Sequence, residues 1–123
     1  MPNMKDYLKK RLTNSWLFPR YIGIVYIEPA MRKACPFAQG IMLDVGCGER
    51  RYESIFTSNV ETYIGMDWPQ ETNPAHPDVV GDAMRIPLMS ASIDTVLATE
   101  LMEHLPSPQM FLAEVARVIR NDG

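Results

Sequence analysis

Short apolar runs, each ending on or beside an acidic residue, recur through the last two-thirds of the chain. They are "IMLDV" (41–45), "VETYIGMD" (60–67), "DVVGD" (78–82) and "IDTVLAT" (93–99). Short apolar runs bounded by turn formers are typical of buried strands, and β-branched residues strengthen that assignment. The pattern therefore predicts four strands, separated by loops and helical segments.

Helical patterns appear between and after these runs. "YESIF" (52–56) predicts a short helix, and "SPQMFLAEVARVIRNDG" (107–123) predicts a longer one, with Ser107 as N-cap, Pro108 in the first turn and Gly123 at the C-terminal cap. The apolar stripe of the longer helix consists of Phe111, Leu112, Val115, Val118 and Ile119. Four methionines are expected to fill the core: Met84, Met89, Met102 and Met110. Strands that alternate with helices indicate an α/β fold with a doubly wound, Rossmann-like parallel sheet.

The N-terminal part differs in pattern and in charge. "MKDYLKKRL" (4–12) and "YIGIVYIEPAMRKAC" (21–35) predict helices, with a bend or restart at Pro29. Residues 1–40 hold seven Lys and Arg against two acids, whereas residues 41–123 hold five Arg against thirteen acids. This asymmetry predicts a basic helical segment over 1–38 and an acidic domain over 39–123. Nucleic acid is not expected as a partner, because the larger domain is acidic.

Several classes of protein are excluded by composition. The longest apolar stretch, residues 21–27, falls far below the ~20 residues of a membrane span, and charges interrupt the N-terminus where a signal peptide would be apolar. Cys35 and Cys47 are isolated, so neither a disulfide framework nor a zinc site is expected. A single histidine, His104, lies beside Glu100 and Glu103, which is too little for a metal site. These features favour a cytoplasmic protein without a transmembrane segment.

Candidate ligand-binding residues occupy the ends of all four predicted strands. Parallel α/β sheets bind ligands beyond the carboxyl ends of their strands. The polar and glycine residues at those ends are Asp44 with Gly46 and Gly48, Asp67, Asp82, and Thr99 with Glu100. Their common placement along one edge predicts a binding site there.

The glycine loop favours one nucleotide cofactor over another. A dinucleotide fingerprint would place a third glycine at position 51, which is Arg51, and a doubly anionic pyrophosphate would be repelled by Asp44 and Glu49. S-adenosylmethionine carries an ammonium and a sulfonium and no phosphate, so an acidic loop suits it. Asp67 fits a carboxylate that accepts the two ribose hydroxyls, and Asp82 fits an acceptor for the adenine amino group.

The chain resembles a class I S-adenosylmethionine-dependent methyltransferase of the type 11 group. The matching stretches are "LDVGCG" (43–48), "YIGMD" (63–67) and residues 79–123, in the order and spacing of the family. The resemblance implies that the methionine and ribose end is lined by Asp44, Gly46, Cys47 and Gly48. It implies that Asp67 takes the ribose hydroxyls, Trp68 lies beside the adenine, and Asp82 and Ala83 contact the adenine edge. Thr99 and Glu100 would close the site over the methionine moiety, and no catalytic residue is assigned.

Two departures from that family bear on function. Its loop often has a third glycine at position 50, where this chain has Arg50, a change that would narrow the pocket. The family also continues with a fifth strand, a helix and a hairpin after the segment that ends at Gly123. The fourth strand is therefore expected to be an open edge. The sequence then represents a fragment, or a partner or a second copy covers that edge.

Three functions remain open from the sequence. The first is transfer of a methyl group to an acceptor that is a small molecule, a sugar or a lipid-like compound, the last favoured by the basic, aromatic N-terminal segment. The second is a non-catalytic S-adenosylmethionine-binding or interaction module, or an inactive fragment. The third is a nucleotide-dependent oxidoreductase, against which Arg51 and the acidic loop argue.

Overall fold

The computed structural model of the protein describes residues 23–68 and 76–123. It divides into two compact units, Met1–Ala34 and Cys35–Gly123. The helix predicted over residues 4–12 lies outside the described residues. Nowhere in the described ranges does a helix reach the length and apolarity that crossing a membrane requires.

The described part of the first unit is helical, as the sequence predicts. A turn of π-helix over Gly23–Ile27 leads into helix α1, Glu28–Ala34. Pro29 lies in the first turn of α1, where its missing N–H leaves no hydrogen bond unmade. The bend or restart predicted at Pro29 corresponds to the change from π-helix to α-helix at Glu28. Arg32 stabilises α1 through an exposed ion pair with Glu28, at 2.7 Å from Nη2 to Oε1.

The second unit is built on a parallel sheet of four strands. The strands are β1 (Ile41–Val45), β2 (Thr62–Asp67), β3 (Val79–Val80) and β4 (Thr95–Leu97), and their spatial order is β3–β2–β1–β4. The chain thus winds outward from β1 in both directions, which confirms the doubly wound α/β fold. Within the described sheet β3 and β4 are the edge strands.

The register of the strands brings their carboxyl ends to one edge. Val45 of β1 pairs with Met66 of β2, and Asp67 at the end of β2 pairs with Val80 at the end of β3. Leu97, the last residue of β4, pairs with Asp44. The four segments that follow the strands therefore leave the sheet side by side.

Burial explains why β1 is the central strand. Residues 42–45 are all buried, so β1 is covered on both faces, as its nearly continuous apolar run predicts. Helix α2 (Glu53–Phe56) buries Ile55 and Phe56, and helix α3 (Pro108–Val118) buries Phe111 and Val118. The main core cluster includes Leu43, Val45, Met66, Ile93, Phe111 and Val118.

The longest helix begins as predicted and ends earlier. Ser107 caps α3 by accepting a hydrogen bond from the Met110 amide, and Pro108 is its first residue. The cap predicted at Gly123 is wrong, because α3 ends at Val118 and Ile119 is extended. Ile119 forms a parallel bridge with Ile93, and the Arg120 amide donates to the Ile93 carbonyl at 2.8 Å. Pairing with the segment that leads into β4 thus replaces the last helical turn.

Two expectations about the core are also wrong. Leu112, placed in the apolar stripe of α3, is 52% exposed, because the buried face of the helix is narrower than the stripe. Met89 and Met110, expected to fill the core, are 79% and 55% exposed, and Met102 is exposed as well. Among the described residues, the fully buried methionines are instead Met42 and Met66, which lie on central strands.

Candidate functional site

The loop after β1 is held against the end of β2. The amides of Gly46 and Cys47 both donate to the Met66 carbonyl, at 2.8 and 3.0 Å. Gly46 has a φ of 75°, and a Cβ added there would lie 3.0 Å from a methyl carbon of Leu101. Glycine at this position therefore provides both the left-handed turn and the close approach of the neighbouring segment. Gly48, at a φ of 48°, continues the same turn.

Asp67 joins the end of β2 to this loop. One carboxylate oxygen, Oδ2, accepts from the Gly48 amide at 2.9 Å, and the other, Oδ1, accepts from the Trp68 amide at 2.8 Å. The sequence placed Asp67 and Gly48 in one site, and the structure brings them into direct contact.

An apolar hollow lies on the β2–β3 side of the loop. Its volume is about 280 Å³, and its wall includes Asp67, Trp68, Asp82 and Ala83. Asp82 forms a tight turn in which its Oδ1 accepts from the Met84 amide at 2.8 Å. Sequence reasoning missed six apolar residues of the wall. Three belong to the segment after β4, and the others lie at or near the ends of β1, β2 and β3: Leu101, Leu105, Pro106, Val45, Met66 and Met84.

A second, more polar hollow lies on the β4 side of the same loop. It encloses about 450 Å³, and five of the residues predicted from sequence line it: Gly46, Cys47, Gly48, Thr99 and Glu100. Glu49, Arg51, Tyr52, Glu103 and His104 complete its wall, and none of them is among the ten residues assigned to the site from the sequence. Gly46 borders both hollows, so they meet at the glycine loop. Glu100 adopts a φ of 52°, which is uncommon outside glycine.

Asp44 is the one predicted site residue that borders neither hollow. It is 2% exposed, and its Oδ2 accepts a hydrogen bond from the Tyr63 hydroxyl. Its other oxygen, Oδ1, has no hydrogen-bond partner among the described residues. Burial raises the pKa of Asp44 to about 6, although the bond from Tyr63 opposes that rise. Asp44 therefore lies inside the sheet, two residues before Gly46, and is not exposed in either hollow.

Tyr63 was not singled out from the sequence, although a signal for it exists. Asp44 pairs with Gly65 across β1 and β2, and Tyr63 precedes Gly65 by two residues. Residues two apart on a strand lie on the same face, so strand alternation places Tyr63 diagonally opposite Asp44.

The sequence of the chain matches a known protein family. A family model described as a methyltransferase domain matches residues 43–123, which include the loop and all four strand ends. The chain belongs to this methyltransferase family. The resemblance noted from the sequence is thereby confirmed.

Individual relatives agree with the assignment of the methyltransferase domain. An uncharacterized methyltransferase of Mycobacterium ulcerans is 34% identical over 91 residues, covering 67% of this chain and 36% of the relative. A protein of Mycolicibacterium smegmatis, named "Probable S-adenosylmethionine-dependent methyltransferase", is 30% identical over 89 residues, covering 67% and 35%. The chain thus spans little more than a third of the length of the curated relatives it matches.

A solved structure shows the same fold. The crystal structure of an S-adenosylmethionine-dependent methyltransferase from Aquifex aeolicus superimposes with a TM-score of 0.62 at 18% identity. The match covers 97% of this chain and 69% of that one. At this level of identity the likeness supports the Rossmann-like fold of the methyltransferase domain.

The chemistry of Cys47 argues against a nucleophilic role in the methyltransferase domain. Cys47 is buried, and burial together with the charges of Asp44 and Asp67 raises its pKa to about 11. At neutral pH the side chain is therefore a thiol, whereas the thiolate is the reactive form.

The second hollow also bears on metal chemistry. His104 and Glu103 line it beside Glu100. Across the two described ranges, no three His, Cys, Asp or Glu side chains are grouped closely enough to hold a metal ion.

Proposed function

We propose that the chain binds S-adenosylmethionine at the carboxyl edge of its sheet and contributes to methyl transfer. The observation that carries this proposal is the position of Asp67, which lines the apolar hollow and accepts from Gly48 of the loop. A carboxylate at the end of β2 is suited to accept the two ribose hydroxyls of an adenosine. The residues of both hollows fit the two ends of the cofactor.

The apolar hollow suits the adenine. Its wall combines Trp68 and Ala83 with the carboxylate of Asp82, so it offers stacking area and an acceptor for the exocyclic amine. The second, more polar hollow is lined by three carboxylates, Glu49, Glu100 and Glu103, and by one arginine, Arg51. An excess of carboxylates favours the cationic methionine end of the cofactor and disfavours a pyrophosphate.

The cofactor supplies a methyl group that its sulfonium makes electrophilic. The task of the chain is to hold the acceptor in line with that methyl. A fixed geometry of this kind lowers the activation free energy of the transfer by several kcal/mol. Thr99, Glu100 and His104 lie on the wall of the larger hollow, where an acceptor would enter.

The acceptor class is proposed from the charge of the N-terminal part of the chain. We propose a small molecule, a sugar or a lipid-like compound, with an anionic or lipid-like acceptor favoured by the basic residues of the first 40 positions. From the sequence we further propose a cytoplasmic location and a domain boundary between residues 38 and 39. We also propose that a partner or a second copy covers the edge of β4.

Calorimetric titration with S-adenosylmethionine tests the proposal. We expect binding by the wild-type chain, no binding of NAD, and at least about tenfold weaker binding by Asp67→Ala, since hydrogen bonds to a charged acceptor are lost. Glu61→Ala is the matched control, because Glu61 is exposed at the opposite end of β2. Circular dichroism must show that every variant is folded.

Four results would contradict the proposal or part of it. A folded wild-type chain that binds no S-adenosylmethionine would refute it for this chain. NAD binding in its place would favour the oxidoreductase alternative. Equal affinities of the wild type and Asp67→Ala would remove Asp67 from the site. Binding without methyl transfer to any acceptor of a broad panel would favour the non-catalytic binding module.

A further inference from the structure

Arg50 combines an unfavourable backbone conformation with an extensively bonded side chain. Its φ is 54°, in the left-handed region that glycine adopts most readily. Its side chain is nevertheless only 19% exposed. It lines neither hollow, contrary to the expectation that an arginine here would narrow the pocket. An arginine in this conformation needs compensating contacts elsewhere.

The guanidinium group of Arg50 supplies those contacts. Nε and Nη2 donate to the two carboxylate oxygens of Glu53, each at 2.9 Å, and form a bidentate pair with this first residue of helix α2. Nη1 pairs with Oδ2 of Asp78 at 2.9 Å. The same oxygen of Asp78 accepts from the Gly65 amide at 2.9 Å. Arg50 therefore links the loop after β1 to α2, to β2 and to the segment that enters β3.

A third contact joins Arg50 to the hydrogen-bonded pair of Tyr63 and Asp44. The guanidinium carbon of Arg50 lies 5.3 Å from the centre of the Tyr63 ring, within the range of a cation–π interaction. Tyr63 in turn donates to Asp44. We call Arg50, Glu53, Asp78 and Tyr63 the arginine latch.

The backbone of Arg50 transmits this anchoring to the binding edge. Its amide donates to the Cys47 carbonyl at 2.8 Å and closes the turn over residues 47–50. Within that turn, the Gly48 amide donates to Asp67. Anchoring Arg50 at its side chain thus limits the movement of the turn that meets Asp67.

We propose that Arg50 is a positioning residue, which holds the turn over residues 47–50 in its binding conformation before the ligand arrives. The proposal rests on the proposed function for its ligand, S-adenosylmethionine. A turn that is already ordered costs the ligand less to bind than one that must be ordered on binding. Arg50 therefore contributes to affinity without contacting the cofactor.

Two variants separate the parts of the latch. Arg50→Gly suits the left-handed backbone and removes every side-chain contact, whereas Arg50→Lys keeps the charge and loses the bidentate geometry. Arg120→Lys is the matched control. Arg120 pairs with Asp94 at 2.5 Å, and Asp94 accepts from the amide of Ile41 at the opposite end of β1.

Affinity for S-adenosylmethionine is measured well below the unfolding temperature of every variant. If Arg50→Gly leaves about a tenth of the molecules with an ordered turn, its apparent Kd rises about tenfold. We expect a smaller rise for Arg50→Lys and none for Arg120→Lys. A change in unfolding temperature with unchanged Kd would show a merely structural role and overturn the proposal.

Amide hydrogen exchange by NMR gives a readout that does not depend on the ligand. In Arg50→Gly the amides of positions 48 and 50 should exchange faster, while those of β1 keep their rates. Unchanged exchange at both positions would overturn the proposal. If the wild type binds no S-adenosylmethionine, the proposed function fails, and these exchange rates alone decide whether the latch holds the turn.

Discussion

Asp44→Asn is expected to remove a pH-dependent contribution of about 3 kcal/mol to the free energy of unfolding. The pKa of Asp44 is 3.8 in an unperturbed carboxyl and about 6 in the folded protein, where burial favours the neutral form. Each tenfold difference in proton affinity between the two states is worth about 1.4 kcal/mol, which gives the magnitude. Asparagine has nearly the same shape and does not titrate.

The direction of the effect follows from proton binding. Between about pH 4 and pH 6 the folded state binds more protons at Asp44 than the unfolded state, so unfolding releases a proton there. The stabilising contribution is complete below about pH 4 and is lost as the pH rises through 6. The free energy of unfolding of the wild type should therefore fall, relative to Asp44→Asn, across this interval.

Urea unfolding at a series of pH values from 4 to 7.5 measures the effect. The difference between wild type and Asp44→Asn is the informative quantity, because other carboxyls then cancel. Hydrogen bonds to arginines or backbone amides lower the pKa values of Asp78, Asp94 and Glu114, and these groups lose their stabilising effect as the pH falls. A difference that does not vary with pH would refute the raised pKa of Asp44.

Tyr63→Phe supplies an internal check on the same reasoning. The Tyr63 hydroxyl lowers the pKa of Asp44 by donating to its carboxylate, so its removal should raise that pKa further. The interval over which stability is lost should then extend above pH 6. An interval that moves to lower pH would contradict the assigned hydrogen bond.

Two further substitutions test the packing that positions the loop and the last helix. In Gly65→Ala the new Cβ would lie 3.0 Å from the sulfur and 3.3 Å from Cβ of Cys47. The free energy of unfolding, measured with urea, should therefore fall by about 1–3 kcal/mol. Unchanged stability would show that Cys47 moves aside freely. Ser107→Ala removes the cap of α3 and should cost about 0.5–1 kcal/mol, measured by thermal unfolding. Ser107→Asp, which keeps an acceptor, should restore most of it, and a Ser107→Asp as unstable as Ser107→Ala would contradict capping.

The fold and the edge of the site could be predicted because their signals are local. Each strand is a short apolar run, and each run carries its own polar residue at or just beyond its carboxyl end. Gly46, Asp67 and Asp82 were assigned from single stretches of sequence, and the parallel order then brought them together without further information. Nine of the ten predicted site residues border a hollow for this reason.

The features that were missed depend on contacts between distant segments. No sequence pattern near Arg50 predicts its pairing with Asp78, which lies on the far side of β2. Helix α3 ends at Val118 because Ile119 pairs with Ile93, a contact that helical periodicity does not contain. Periodicity likewise identifies the direction of a buried face and not its width, so Leu112 was placed inside.

The end of β1 and the loop after it carry two features that lower the stability of the fold. A buried carboxyl at position 44 with one unpartnered oxygen among the described residues destabilises the fold at neutral pH, where an apolar residue of similar size would not. Arg50 likewise occupies a left-handed conformation that glycine adopts more readily. Tyr63 connects the two residues, because its hydroxyl donates to Asp44 and its ring centre lies 5.3 Å from the guanidinium carbon of Arg50. Strain and a buried carboxyl this close to the glycine loop are typical of a site where binding geometry, more than stability, determines which residues fit.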